Sequence, residues 1–67
     1  MTSFPERLKE LRKDKKLSQN ALSKRIGISQ AAIAKWEKGT RTPSMECIII
    51  LTKYFNVTAG YLLGLED

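Results

Sequence analysis

The chain has 67 residues, a mass of 7.6 kDa, one cysteine (Cys47) and no histidine, so it reads as one domain over residues 1–67 and excludes an internal disulfide, a His/Cys zinc site and Ser–His or Cys–His catalysis. Hydrophobic residues make up 42%, too many for a disordered chain; the longest apolar run, residues 47–51, is far below the ~18 that span a bilayer, and the first residues carry no apolar signal-peptide core. The net charge is +5 with an isoelectric point near 9.7, but residues 1–43 balance to +7 and residues 44–67 to −2, a layout that suits a polyanion at one surface and something else at the other.

A first helix is expected over residues 3–16. Ser3 and Glu6 have capping-box spacing, Pro5 is tolerated in a first turn, and Phe4, Leu8 and Leu11 form one apolar stripe. Glu6–Lys9 and Glu10–Lys13 are spaced as ion pairs on a solvated face. Ser18 is the natural cap of a second helix, Gln19–Ile26, with Leu22 and Ile26 inward and Gly27 ending it in a left-handed conformation. Ser29 caps a third, with Ile33 and Trp36 inward and Gly39 at its end. After the polar loop of residues 40–43, Ser44 caps a fourth helix, Met45–Phe55, whose buried side is expected to be Met45, Ile48, Leu51, Thr52 and Phe55. Thr58 caps a last short helix over residues 59–63, before Gly64. No strand pattern or repeat is present, so the fold class is all-α, five short helices with short connections. Cys47 reads as a small filler, and Glu66-Asp67 as a solubilising tail.

Residues 19–38 form a unit: two short helices around a three-residue turn, with Leu22, Ile26, Ile28, Ile33 and Trp36 as the apolar lock. So short a turn makes the helices cross steeply, as in a helix-turn-helix. Gly27 supplies a positive φ and the small Ser23 permits close approach. The outward residues of the second helix of the pair are Ser29, Gln30, Ala31, Ala34, Lys35 and Lys38. They are small, amide or basic, as a surface entering a DNA major groove needs to be. Trp36 reads as core rather than as a stacking platform.

QNALSKRIGISQAAIAKWEKG resembles the helix-turn-helix of the Cro and phage-repressor superfamily, the Xre-type regulators. RLKELRKDKKLSQ, WEKGTRTPS and YFNVTAGYLLG resemble the family's flanking helices and loop, so the resemblance covers about residues 4–64. It departs at Ser23 and Thr52, where alanine is usual; the Thr52 hydroxyl can bond back to a helical carbonyl. The resemblance implies a lambda-repressor-like fold and a sequence-specific, double-stranded-DNA-binding regulator, a repressor at a palindromic operator, in the cytoplasm of a bacterium or encoded by a phage. Gln30, Ala31 and Lys35 match its base-reading positions. Arg12, Gln19, Ser29, Lys38, Thr40 and Arg41 match positions that contact the DNA backbone. No cofactor, metal, membrane or small-molecule ligand is implied, and no enzyme activity. The alternative is an antitoxin or other protein-interaction module on the same fold.

One further expectation concerns assembly. Ile50 points away from the fourth helix's core side, beside Tyr54 and Val57, and the last helix adds Tyr61 and Leu65. Ile50, Tyr54, Tyr61 and Leu65 are therefore expected to form a weak homodimer interface, setting two third helices about 34 Å apart.

Overall fold

Five helices appear where local signals place them, in a computed structural model that describes residues 2–66. They are α1 Phe4–Asp14, α2 Gln19–Ile26, α3 Gln30–Lys38, α4 Met45–Phe55 and α5 Ala59–Leu62. No strand occurs among the described residues. Four of the five begin with a side-chain cap: Ser18, Ser29, Ser44 and Thr58 each accept from the backbone N–H three residues on, at 3.0–3.2 Å. Each cap satisfies one of the donors that a helix start leaves without a partner.

α1 differs from the expectation at both ends. Ser3 makes no bond to a backbone N–H; its hydroxyl donates instead to the Glu6 carboxylate at 3.0 Å. The helix stops at Asp14 rather than residue 16, because Lys16 turns left-handed at φ 58° and the N–H groups of Lys16 and Leu17 return to the carbonyls of Lys13 and Arg12. Neither Glu6–Lys9 nor Glu10–Lys13 closes as an ion pair; among the described residues, the bonded pair is Arg12–Glu37.

The core takes residues from every helix: Leu8, Leu22, Ile33, Trp36, Leu51, Phe55 and Leu62, with Phe4, Leu11, Leu17, Ile26, Ile28, Cys47, Ile48, Tyr54 and Val57 half-buried around it. α3 packs between α1 and α2, and α4 closes against α2 and α5. Burial of each large apolar side chain is worth roughly 1.5–3 kcal/mol, so these seven carry most of the fold's driving force.

Between α2 and α3, Gly27 has φ 71°, and a Cβ placed there would meet nothing within 4 Å. The backbone angle, not crowding, is what calls for glycine here. The Ser23 hydroxyl donates to the carbonyl of Ile28 across the same turn. It does more than leave room: it pins the turn whose geometry aims α3. Gly64 has both reasons, since its φ is 77° and a Cβ there would lie 2.2 Å from the carbonyl oxygen of Thr2.

α4 corrects the expected buried face. Met45 is 71% exposed; it lies about 120° from Leu51 at ~100° per residue and in the first turn of α4. Thr52 is half-buried and its hydroxyl donates to the Ile49 carbonyl at 2.9 Å, the back-bond expected of it. α5 ends at Leu62, one residue early. In the tail, Glu66 accepts a hydrogen bond from the Thr58 hydroxyl at the start of α5, so it ties down the last helix as well as carrying charge; Asp67 lies outside the described residues.

Candidate nucleic-acid interface

α3 is a two-faced element. Ile33, Trp36 and Glu37 are buried beneath it, while Gln30, Ala31, Lys35 and Lys38 are exposed along its outer side. Of the residues expected on that side, Ala34 is half-buried. The helix begins at Ser29, whose oxygen accepts from the Ala32 N–H at 3.2 Å; the hydroxyl proton is left to donate outward. Among the described residues, Lys35, Lys38 and Arg41 take part in no ion pair.

Gln19, the first residue of α2, stands beside α3. Its Nε2 donates to Glu37 Oε1 at 3.2 Å. The side chain is half-buried and already oriented. Arg41 is exposed in the loop after α3.

Two expected contacts take a different role. Arg12 was expected as a backbone-holding cation, but its guanidinium is an interior bridge: Nε donates to Glu37 Oε2 at 2.7 Å, Nη2 to Glu37 Oε1 at 2.9 Å and Nη1 to the Leu17 carbonyl at 2.8 Å. All three nitrogens are engaged and the residue is 9% exposed. Thr40 stays exposed, but its donors are engaged within the chain. Both its donors, the backbone N–H at 3.0 Å and the hydroxyl at 3.3 Å, go to the Lys35 carbonyl and close the end of α3.

Glu37 is the member the sequence reading missed. Its carboxylate collects Arg12 and Gln19, and its side chain is 2% exposed. Burial pushes the carboxyl up, but hydrogen bonds from Arg12 and Gln19 and the charges of Arg12 and Lys9 outweigh it and hold Glu37 below the ordinary carboxylate value. The hydrogen bond to Glu37 in turn raises Arg12 against the opposing effect of burial. The only available signal was an acid between Trp36 and Lys38 on an otherwise acid-free helix.

The expected dimer surface is only partly present. Tyr61 is half-buried, with the Arg7 guanidinium 3.7 Å from its ring centroid. Tyr54 is three residues on from Leu51 and so faces the core; it meets Phe55 edge-on at 5.1 Å, and Lys15 and Arg25 flank it. Ile50 and Leu65 do remain exposed, at 38% and 72%. A groove of about 520 Å³ is lined by Leu11, Asn56, Val57, Thr58, Tyr61 and Glu66.

Residues 8–62 match the model of the helix-turn-helix family HTH_3. The chain belongs to this family. Among helix-turn-helix relatives, the transcriptional activator BcrR of Enterococcus faecalis is 41% identical over 64 residues, 96% of this chain and 31% of its own length. The antitoxin PezA of Streptococcus pneumoniae is 37% identical over 60 residues, 90% of this chain and 37% of its own. The crystal structure of the c2 repressor of phage P22 with a synthetic operator superposes with a TM-score of 0.89 at 33% identity, covering 98% of this chain and all of that one. The chain thus has the fold of a lambda- and P22-repressor-like helix-turn-helix domain. It spans about a third of BcrR. No helix among the described residues is long and apolar enough to cross a membrane.

Proposed function

We propose that this helix-turn-helix domain is the sequence-specific DNA-binding unit of a transcriptional regulator, working by binding and without catalysis. The observation that carries the reading is the outer face of α3: a buried Ile33–Trp36 side beneath, and Gln30, Ala31 and Lys35 exposed together above. α3 enters the major groove, where Gln30 presents a bidentate amide to a base edge, Ala31 allows close approach, and Lys35 reaches an acceptor. Gln19, Ser29, Lys38 and Arg41 hold phosphates on either side. Such a domain works in the cytoplasm. The P22 c2 repressor, whose structure carries operator DNA, supports this reading: it shares the fold over 98% of this chain at 33% identity.

On a palindrome two copies bind as a weak dimer. Ile50 and Leu65 supply its apolar contacts. The functional test is selection of duplexes from a random pool, followed by affinity against salt. Each phosphate that a Lys or Arg neutralises should steepen the fall of log K with log salt by about 0.9. Gln30→Ala should cost ~1–3 kcal/mol on the selected duplex and little on random DNA. Failure to enrich any duplex, with binding indifferent to salt, would refute the proposal.

A further inference from the structure

Glu37 does not touch the outer face of α3, yet it holds a residue assigned above to a phosphate. Gln19 Nε2 donates to Glu37 Oε1 at 3.2 Å, and Arg12 Nη2 meets the same oxygen at 2.9 Å. An ionised carboxylate only accepts hydrogen bonds, so the Gln19 amide must present its nitrogen to Glu37; the flipped amide would set oxygen against oxygen. Nε2 carries two hydrogens. Glu37 takes one, and the second remains for an external acceptor.

This arrangement has two consequences for a bound phosphate. A glutamine side chain has three rotatable bonds, and gripping a phosphate freezes them. Holding one N–H in advance removes part of that loss before DNA arrives. A bare carboxylate so close would repel the phosphate, but Arg12 engages both its oxygens, at 2.7 and 2.9 Å, and balances the charge. Because Glu37 lies on α3 and Gln19 on α2, the link also ties the phosphate grip to the helix that reads bases.

We propose that Glu37 is a positioning residue for DNA binding, holding Gln19 Nε2 in the orientation that grips a phosphate while Arg12 neutralises the carboxylate. The inference rests on the DNA-binding reading above. It separates Glu37 from a purely internal brace, which would matter for folding and leave Gln19 unaffected.

The test is a double-mutant cycle of Glu37→Gln, Gln19→Ala and the two combined. It is read by anisotropy on a duplex selected by the wild-type protein, with each fold checked by circular dichroism. Glu37→Gln alone should weaken binding about tenfold, but less than about twofold once Gln19 is alanine. Equal losses in both backgrounds overturn the proposal and leave Glu37 an internal brace. A wild-type protein that selects no duplex overturns the DNA-binding reading, and this inference with it. Loss of one partner of a buried ion pair can unfold a domain this small, so a second measurement uses the wild-type protein without DNA. ¹⁵N relaxation should give the Gln19 side-chain amide a clearly higher order parameter than that of exposed Gln30. A Gln19 amide as mobile as that of Gln30 overturns the proposal regardless of how the variants fold.

Discussion

Arg7 and Arg12 sit on the same helix and are both nearly buried, at 5% and 9% exposure, yet what each one meets is different. They lie about 140° apart around α1 at ~100° per residue, so one faces α5 and the other α3. Arg12 finds a carboxylate and a carbonyl, and three of its nitrogens donate at 2.7–2.9 Å. Arg7 finds the face of Tyr61 at 3.7 Å, while its Nε and Nη1 are buried without a hydrogen-bond partner among the described residues. The α1–α3 seam is thus held by short, directional, charge-assisted bonds. The α1–α5 seam is held by stacking, which is weaker and tolerates sliding. The seam beneath α3 is the rigid one. Two of the cations behind the +7 of residues 1–43 are therefore interior and add nothing to a basic outer surface.

The largest effect should come from breaking the rigid seam. Arg12→Ala leaves Glu37 buried without its cation and should cost ~3–5 kcal/mol in urea unfolding. A loss under about 1 kcal/mol would mean that Glu37 finds water instead and that the seam is looser than its geometry. Acid should work on the same contact. Glu37 is held below the ordinary carboxylate value in the fold, against roughly 4.3 in the unfolded chain. Its stabilising contribution is therefore complete above that unfolded value and is lost as pH falls through the lower folded value. The urea midpoint of the wild type should drop between about pH 5 and 3. In a folded Glu37→Gln variant the drop should be visibly smaller; equal drops would assign the acid sensitivity to other carboxylates.

The two seams also show what a sequence can disclose. Caps and helix stops were legible because their partners lie within a few residues: Ser18, Ser29, Ser44 and Thr58 each reach three positions ahead, and Gly27 and Gly39 adopt the left-handed angles their places demand. The inner faces of α2 and α3 followed from spacing alone. Arg12 was read as an outward cation because its partner is 25 residues away, and nothing local marks it. The same holds for Tyr61, covered by an arginine from α1. Tyr54 had a signal that went unused, its three-residue spacing from Leu51. Within the candidate site, the exposed residues Gln30, Ala31, Lys35 and Lys38 were readable from type and spacing, and Arg41 only from the family resemblance. The buried brace behind them, Glu37, was not.

A smaller effect should come from the stacking seam. Arg7→Met gives up the cation over Tyr61, worth roughly 0.5–2 kcal/mol, but also removes two buried donors that lack partners. Unpaired buried donors are themselves costly, so the variant should lie within about 1 kcal/mol of wild type. If Arg7→Met destabilised the domain as much as Arg12→Ala, the two seams would be equivalent and the contrast would be wrong.

The smallest effect is a gain. Lys16 adopts φ 58°, in a turn where its N–H returns to Lys13 at 2.8 Å and that of Leu17 to Arg12 at 3.2 Å. This is the helix-ending pattern in which glycine is usual. A residue with a Cβ loses roughly 1–2 kcal/mol in the left-handed region, while glycine costs about 0.5–1 kcal/mol in chain entropy. Lys16→Gly should therefore stabilise by about 0.5 kcal/mol, read as a shift in the urea midpoint. The turn also brings the Leu17 carbonyl to Arg12 Nη1 at 2.8 Å, so the substitution probes whether the guanidinium forces the strained angle. Its two backbone bonds do not involve the Arg12 side chain, and the gain should persist in a folded background lacking that side chain. If the gain vanished there, Arg12 would be imposing the strain. The rigid seam would then extend through the α1–α2 turn to the cap of the helix that carries Gln19.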